Sequence, residues 1–350
     1  MFVQQVDEGD WLRAFTLAWI RGLAARVEHV DVITLEQGQA ALPDNVTVYS
    51  IGKEHGYGRA RELLEYYRAL GRIMPGTDVL FSHMTPRYAW LAAPLAMLYR
   101  KPQLLWYTHN HDYWELRLAL AACRYVTTAV PDSFPINSPK VRALGHGIDT
   151  AFFAPDPNVL CDKPPLIVHV ARLMPIKHQA TLLHALANGL EAQVAIVGAV
   201  PQGQDNAYLA ELQALAKSLG VSDRVTFTGG ISAERVRELY QRATVAVNLS
   251  PPGLFDKAAL ESMLTGVPTI VSNPAFDSLL GDQAPLLRIA NPDDVTGLTA
   301  VIRQLLALPA DSRAALAQVI RARTAAQHSL DGLMDRLVEL MQAAIARGGA

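Results

Sequence analysis

The sequence predicts an α/β protein made of two consecutive doubly wound units, and three observations carry that expectation. Short β-branched runs alternate with helical segments almost throughout, the pattern of βαβ units and parallel sheets. A proline-dense stretch, Ala154-Pro155-Asp156-Pro157-Asn158 followed by Asp162-Lys163-Pro164-Pro165, interrupts the alternation. Beyond it the alternation restarts, so the stretch reads as a hinge between a domain at 1–155 and another at 156–329. Half of the 350 residues are hydrophobic, which is enough for two packed cores and leaves no signature of disorder.

The first half offers strand candidates at Phe2 to Val6, Val30 to Leu35, Val46 to Ser50, Asp78 to Ser82, Gln103 to Thr108 and Tyr125 to Val130. Helical segments separate most of them, notably Trp11 to Val27 and Arg59 to Met74. After the hinge the strand candidates are Leu166 to Ala171, Gln193 to Gly198, Arg224 to Thr228, Thr244 to Leu249 and Val267 to Val271. The tail 330–346 carries Leu333, Leu337, Leu340, Met341 and Ile345 at helical spacing, as an amphipathic helix that can pack back on the first domain would. Ligands of such sheets sit beyond the strand C-termini, so the cleft between the units is the expected site.

Charge and cysteine content exclude several classes. Lys and Arg number 31 against 33 Asp and Glu, for a formal net charge of −2, which argues against a nucleic-acid partner held by its phosphates. Cys123 and Cys161 are too few for a disulfide framework or a four-cysteine zinc site, and they fit a reducing, cytoplasmic setting. The N-terminus lacks a basic region followed by an apolar one, and the longest apolar stretch, near Tyr88 to Tyr99, is well short of the roughly 18 residues of a membrane span.

The segment Val168-His169-Val170-Ala171-Arg172-Leu173-Met174-Pro175-Ile176-Lys177 ends a strand in an arginine and opens a helix with a lysine. Two cations and helix N–H groups converging there would suit an anionic diphosphate, although the spacing alone also fits two solvated surface cations. A second segment, Asn248-Leu249-Ser250-Pro251-Pro252-Gly253-Leu254-Phe255-Asp256-Lys257-Ala258-Ala259-Leu260-Glu261, passes from a strand through a proline-glycine loop into a helix. Its first turns would present Asp256, Lys257 and Glu261 to the strand ends, and a carboxylate placed there can accept both hydroxyls of a ribose. An ordinary surface glutamate is the alternative for Glu261 taken alone.

The order and separation of these segments resemble the C-terminal domain of the family 4 retaining glycosyltransferases, which have the GT-B fold of two Rossmann-like domains facing across a cleft. Gly145-His146-Gly147-Ile148-Asp149, ahead of Phe153 and Pro155, is similar to that family's element before the hinge. The resemblance implies that Arg172 and Lys177 bind the diphosphate of a sugar nucleotide and that Glu261 holds its ribose. The family's first glutamate falls on Gly253, so Asp256 or Lys257 is left to take over part of its role. His109, in Trp106-Tyr107-Thr108-His109-Asn110-His111, matches the histidine placed beside the donor sugar. His109 and His111 could also share a face as metal ligands, but no third ligand stands nearby in sequence. His83, Asp10, Gly198, Gly230 and Ile231 complete the candidate cleft residues.

The implied activity is transfer of a hexose from a nucleoside diphosphate sugar, with retention of configuration, to a glycan, lipid-linked or small-molecule acceptor. No Asp-x-Asp occurs, so no metal or other cofactor is expected. A sugar-nucleotide epimerase or hydrolase, or a catalytically weakened sugar-nucleotide-binding protein, are the alternatives on the same fold. Arg59, Arg61, Arg68 and Arg72 beside Leu63, Leu64, Tyr67 and Leu70 could place one helix on anionic lipid. Glu62 and Glu65 dilute that face, so at most weak, salt-sensitive peripheral contact with the inner membrane face is expected.

Overall fold

The computed structural model describes residues 1–9, 15–201, 203 and 205–347. The chain separates into two compact units: Met1–Gly147 together with the segment from Leu330 onward, and Ile148–Ser329.

The first unit holds a seven-stranded sheet of β1 (Phe2–Val6), β2 (Val30–Gln37), β3 (Val46–Ser50), β4 (Leu80–His83), β5 (Gln103–Trp106), β6 (Tyr125–Thr128) and β7 (Val141–Ala143). The spatial order is β3-β2-β1-β4-β5-β6-β7 and every pairing is parallel. Chain direction across the sheet reverses between β1 and β4, as in a Rossmann-like unit. Strands β4, β5 and β6 are buried at every residue because helices cover both faces. Phe2 on β1 stacks on Tyr88 at 3.9 Å and meets Tyr66 edge-on at 5.6 Å, which anchors the helix Arg59–Ile73 to the sheet.

That helix turns one apolar stripe to the core. Its core stripe is Tyr66, Ala69, Leu70 and Ile73, at i, i+3, i+4 and i+7, while Leu63 and Leu64 are 39% and 49% exposed. The hydroxyl of Tyr66 donates to the carbonyl of Tyr88, a tertiary contact that fixes which face turns inward. The first helix is described over Phe15–Ala24; the earlier part of the expected segment lies outside the described residues. The terminal helix Leu330–Ala346 buries Leu333, Leu337 and Met341 and leaves Ile345 exposed. Arg26 bonds Asp335 at 2.6 Å and Asp331 at 3.2 Å, tying that helix to the end of the first one. Strand β7 was not expected: three residues are too few to show alternation, and pairing with β6 creates them.

The second unit holds β8 (Leu166–Val170), β9 (Gln193–Val197), β10 (Val225–Gly229), β11 (Val245–Asn248) and β12 (Thr269–Val271), in the order β10-β9-β8-β11-β12 and again parallel throughout. Its strands fall within one or two residues of the sequence-based expectations. The helices Gln179–Ala187, Ala207–Ser218, Ala233–Arg242, Lys257–Leu264 and Val295–Ala307 follow the strands, and Ala310–His328 packs on Lys257–Leu264. Asp294 caps Val295–Ala307 by accepting from the amide of Gly297 at 2.8 Å. The core runs from Ile167 and Ile196 through Val247 to Phe276 and Ile302.

Candidate functional site

The order of the second sheet reverses between β8 and β11, so loops leaving those two neighbours part to opposite faces and open a crevice at their C-terminal ends. Both segments singled out in the sequence leave the sheet there.

After β8 the backbone stays tied to β9. The amide of Ala171 donates to Val197 and that of Leu173 to Ala199, both at 3.0 Å. This register demands glycine at 198. Its φ is +141°, and a Cβ there would lie 2.0 Å from the Ala171 carbonyl oxygen. The amide of Gly198 donates in turn to Gly229 at the end of β10, which ties three strand exits together. Gly230, next along, is exposed, and Ile231 is partly buried against the core.

Arg172 is exposed on this ledge, and its guanidinium has no hydrogen bond or ion pair among the described residues. Its carbonyl is held by the buried Gln179 side chain at 2.9 Å, and Gln179 accepts in turn from the hydroxyl of Tyr208. Lys177, expected to converge with Arg172 on a diphosphate, is not a solvated surface cation. It lies in a short 3₁₀ turn, Pro175–Lys177, ahead of the helix proper, and is buried. Its ammonium donates to Ser250 Oγ at 2.9 Å and to the two oxygens of Asp256 at 2.8 and 2.6 Å. The side chains are only 7% and 23% exposed. Asp256 also accepts from Asn248 Nδ2 at 3.1 Å and from the Ser250 hydroxyl. Burial of the cation is thereby compensated by a carboxylate with hydrogen-bonded partners of its own.

Asp256 directly precedes the helix Lys257–Leu264, yet its side chain makes no cap bond to that helix. The carboxylate is turned toward Lys177, so the first-turn N–H groups receive no bond from it. Among the described residues Arg172 makes no ion pair, and that helix N-terminus carries no side-chain cap bond. The loop between them is braced from below: Ser272 Oγ donates to the Ser250 carbonyl, and Asn273 Nδ2 donates to the carbonyls of Pro251 and Leu254. Gly253 has φ +85°, in the left-handed region, where a side chain would be strained. Glu261 lies one turn beyond Lys257 and is half-buried. Desolvation raises its carboxyl above the usual range, Lys257 lowers it and Asp256 raises it further.

Beneath these residues, on β8, His169 is fully buried and neither ring nitrogen has a hydrogen-bond partner among the described residues. Burial lowers its pKa to about 4, with Asp256 raising and Lys177 lowering it by smaller amounts. Sequence reading passed over His169, Asn248 and Ser250 as site residues. The last two stand two apart at the strand exit, a period-2 spacing that signals a shared face.

In the first unit, His109 is exposed after β5, with its ring edge-on to Tyr107 at 5.7 Å, and His111 stacks on Tyr113 at 5.6 Å. Among the described residues no group of three or more His, Cys, Asp or Glu could hold a metal ion. His83, the second cleft candidate, is 3% exposed, with its ring against Trp19 at 4.6 Å and Phe81 at 6.5 Å. The last residue of a parallel strand keeps its in-sheet burial, which the sequence position did not show. Asp10 lies outside the described residues. Asp149 closes a turn by accepting from the amides of Ala151 and Phe152 at 3.0 and 2.9 Å.

An exposed arginine, a helix N-terminus and a half-buried glutamate thus stand together at the switch point of a Rossmann-like unit, an arrangement chemically suited to an anionic group. Residues 153–323 match the family model described as Glycosyl transferases group 1. The MMP alpha-(1->4)-mannosyltransferase of Mycolicibacterium hassiacum is 29% identical over 223 residues, covering 62% of this chain and 52% of its own length. The GDP-mannose-dependent alpha-(1-6)-phosphatidylinositol monomannoside mannosyltransferase of Mycolicibacterium smegmatis is 30% identical over 258 residues, with 63% and 65% covered. The chain thus spans between about half and just under two thirds of the length of these curated relatives. Solved structures align over nearly the whole chain. Anabaena Alr3699/HepE in complex with UDP and glucose has a TM-score of 0.73 at 16% identity, covering 98% of this chain and 99% of its own. Sucrose-phosphate synthase from Thermosynechococcus elongatus has 0.74 at 20%, with 99% of each covered. The chain has the GT-B fold of these proteins, two Rossmann-like α/β domains with parallel sheets. No described helix is long and apolar enough to cross a membrane.

Proposed function

We propose that the protein is a glycosyltransferase that moves a hexose from a nucleoside diphosphate sugar to an acceptor without a metal cofactor. The observation that carries this reading is the exposed, unpaired Arg172 at the β8–β11 switch point, in a segment that matches the glycosyltransferase family model. In the reaction the bond from the sugar's anomeric carbon to the diphosphate breaks and a bond to the acceptor oxygen forms. The acceptor's proton passes to the departing phosphate oxygen. Arg172 and the N–H groups of Lys257–Leu264 stabilise the diphosphate as charge develops on it. Lys177, already neutralised by Asp256, holds the loop that presents that helix and adds a weaker field. Glu261 accepts from the ribose hydroxyls. His109 is assigned the positioning of the transferred sugar by its match to the family histidine.

The finer assignment to the retaining family 4 rests on the ordered sequence elements around Gly145 to Asp149, Arg172 to Lys177 and Glu261. The curated relatives named above are mannosyltransferases, so GDP-mannose is the first donor to test, with UDP-glucose the second because one structural relative holds UDP and glucose. A cytoplasmic location with at most weak peripheral membrane contact fits the charge and cysteine content. A catalytically weakened sugar-nucleotide-binding protein is the second reading, and Gly253 in place of the family glutamate favours it.

The deciding experiment is a screen of sugar nucleotides with candidate acceptors, with the product's anomeric proton read by NMR in the presence of EDTA. Product with the donor's anomeric configuration is expected. Arg172→Ala should lower kcat/KM by at least about 30-fold, near 2 kcal/mol. Donor binding without turnover on any acceptor would favour the second reading, and loss of activity with EDTA that Mg²⁺ restores would overturn metal independence.

A further inference from the structure

The first unit carries a second concave site, at the end of its sheet opposite the strand C-termini. Lys101, Arg124 and Lys140 stand just ahead of β5, β6 and β7, and with Arg100, Gln103 and Cys123 they line an open cavity of about 530 Å³. Among the described residues no Asp or Glu lines it. Part of this charge has a structural use: Lys140 Nζ donates to the carbonyls of Leu120 and Ala121 at 2.9 and 3.0 Å, serving the C-terminal end of the helix Trp114–Ala122. Arg100, Lys101 and Arg124 have no such use, since their side chains make no hydrogen bond or ion pair among the described residues. Burial pushes the Cys123 thiol up to about 12, so no thiolate offsets them.

Four cations around one concavity repel one another, and an entering anion relieves that repulsion. Two guanidiniums and two ammoniums match the several acceptor oxygens of a phosphate better than the two of a carboxylate. Met97, which lines the cavity, is 78% exposed, and the next residue, Leu98, is 74% exposed, so an apolar surface adjoins the charged one. We propose that this cavity binds the phosphate group of an anionic ligand, whether a phosphorylated small molecule or the headgroup of an anionic lipid. The site lies within the first unit, and its test does not depend on the glycosyltransferase reading.

The experiment uses the full chain and the double variant Arg100→Glu/Arg124→Glu, with Arg100→Gln/Arg124→Gln as a milder pair should charge reversal impair folding. In one arm, inorganic phosphate and glycerol 3-phosphate are titrated by calorimetry with Arg172→Ala as background, which removes the donor-site cation. In the other, the chain is sedimented with vesicles of phosphatidylcholine containing phosphatidylglycerol. The unsubstituted cavity should bind in at least one arm, and the double variant should weaken that binding at least about tenfold while leaving thermal unfolding unchanged. Binding of soluble phosphates alone assigns a small-molecule ligand, and binding of vesicles with loss on Met97→Ser/Leu98→Ser assigns a lipid. No binding in either arm, or equal binding by the double variant, would overturn the proposal.

Discussion

Asp256→Asn removes the charge that compensates Lys177 while keeping the shape of the side chain, and its cost can be worked from the contacts. At 2.6 Å the pair attracts by about 6 kcal/mol at an effective dielectric constant of 20. Much of that is offset in the native protein by desolvation of both groups, so the gross figure is not the loss. In the variant, Lys177 keeps Ser250 and can donate to the new amide oxygen, but it becomes an uncompensated cation at 7% exposure. Because Asp256 is 23% exposed, water can reach the site in part, and the expected loss falls to about 2 to 3 kcal/mol, below the 3 to 5 of a fully buried pair. All five tryptophans precede residue 115, so fluorescence would report the first unit and miss this one. Native-state hydrogen exchange read by mass spectrometry on peptides covering β8 and β11 is the suitable assay. Exchange there should quicken roughly 30- to 150-fold, with β1 and β5 unchanged. Adding Lys177→Met to the variant should recover part of the loss, because no buried charge then lacks a partner. A change below about threefold, or a double variant as damaged as the sum of the singles, would refute the view that the two side chains stabilise one another.

Three further outcomes are expected. Gly198→Ala places a methyl 2.0 Å from backbone oxygen at a positive φ, so it should destabilise the second unit by about 2 kcal/mol or more and displace Arg172; unchanged thermal unfolding by circular dichroism would contradict the close approach. Gly253→Glu, which restores the family residue in type, should fail to raise donor affinity and should cost about 1 to 2 kcal/mol because φ +85° disfavours any side chain. Tighter donor binding by calorimetry would show that the loop accepts glutamate. His169 has a folded pKa of about 4 against an ordinary 6.5, so the unfolded chain binds the extra proton first as pH falls. Stability should be full above pH 6.5 and fall by up to about 3 kcal/mol toward pH 4, and His169→Gln should flatten that part of a denaturation profile; an unaltered slope would remove His169 as its source.

The fold was legible because periodicity is local. Parallel strands buried on both faces read as short apolar runs, and Leu166 to Val170 and Val245 to Asn248 show that pattern in the residues themselves. The chemistry-bearing segments were legible for the same reason, since both leave strands at glycine- or proline-marked loops. The sequence could not say which face of the helix Arg59–Ile73 turns inward, because apolar residues from Leu63 and Leu64 to Leu70 and Ile73 spread over a wide arc and the Tyr66 hydroxyl finds its partner 22 residues away. Nor could it show that Lys177, expected to converge with Arg172 on a diphosphate, is buried against Asp256, 79 residues further on. That pairing depends on β8 lying beside β11 with β9 and β10 on the other side, a strand order settled by packing. Residue type and spacing determined which cations and carboxylates reach the strand ends. Only the tertiary structure decided which of them neutralise one another and which stay exposed, because an ion pair forms between groups adjacent in space, whatever their distance along the chain.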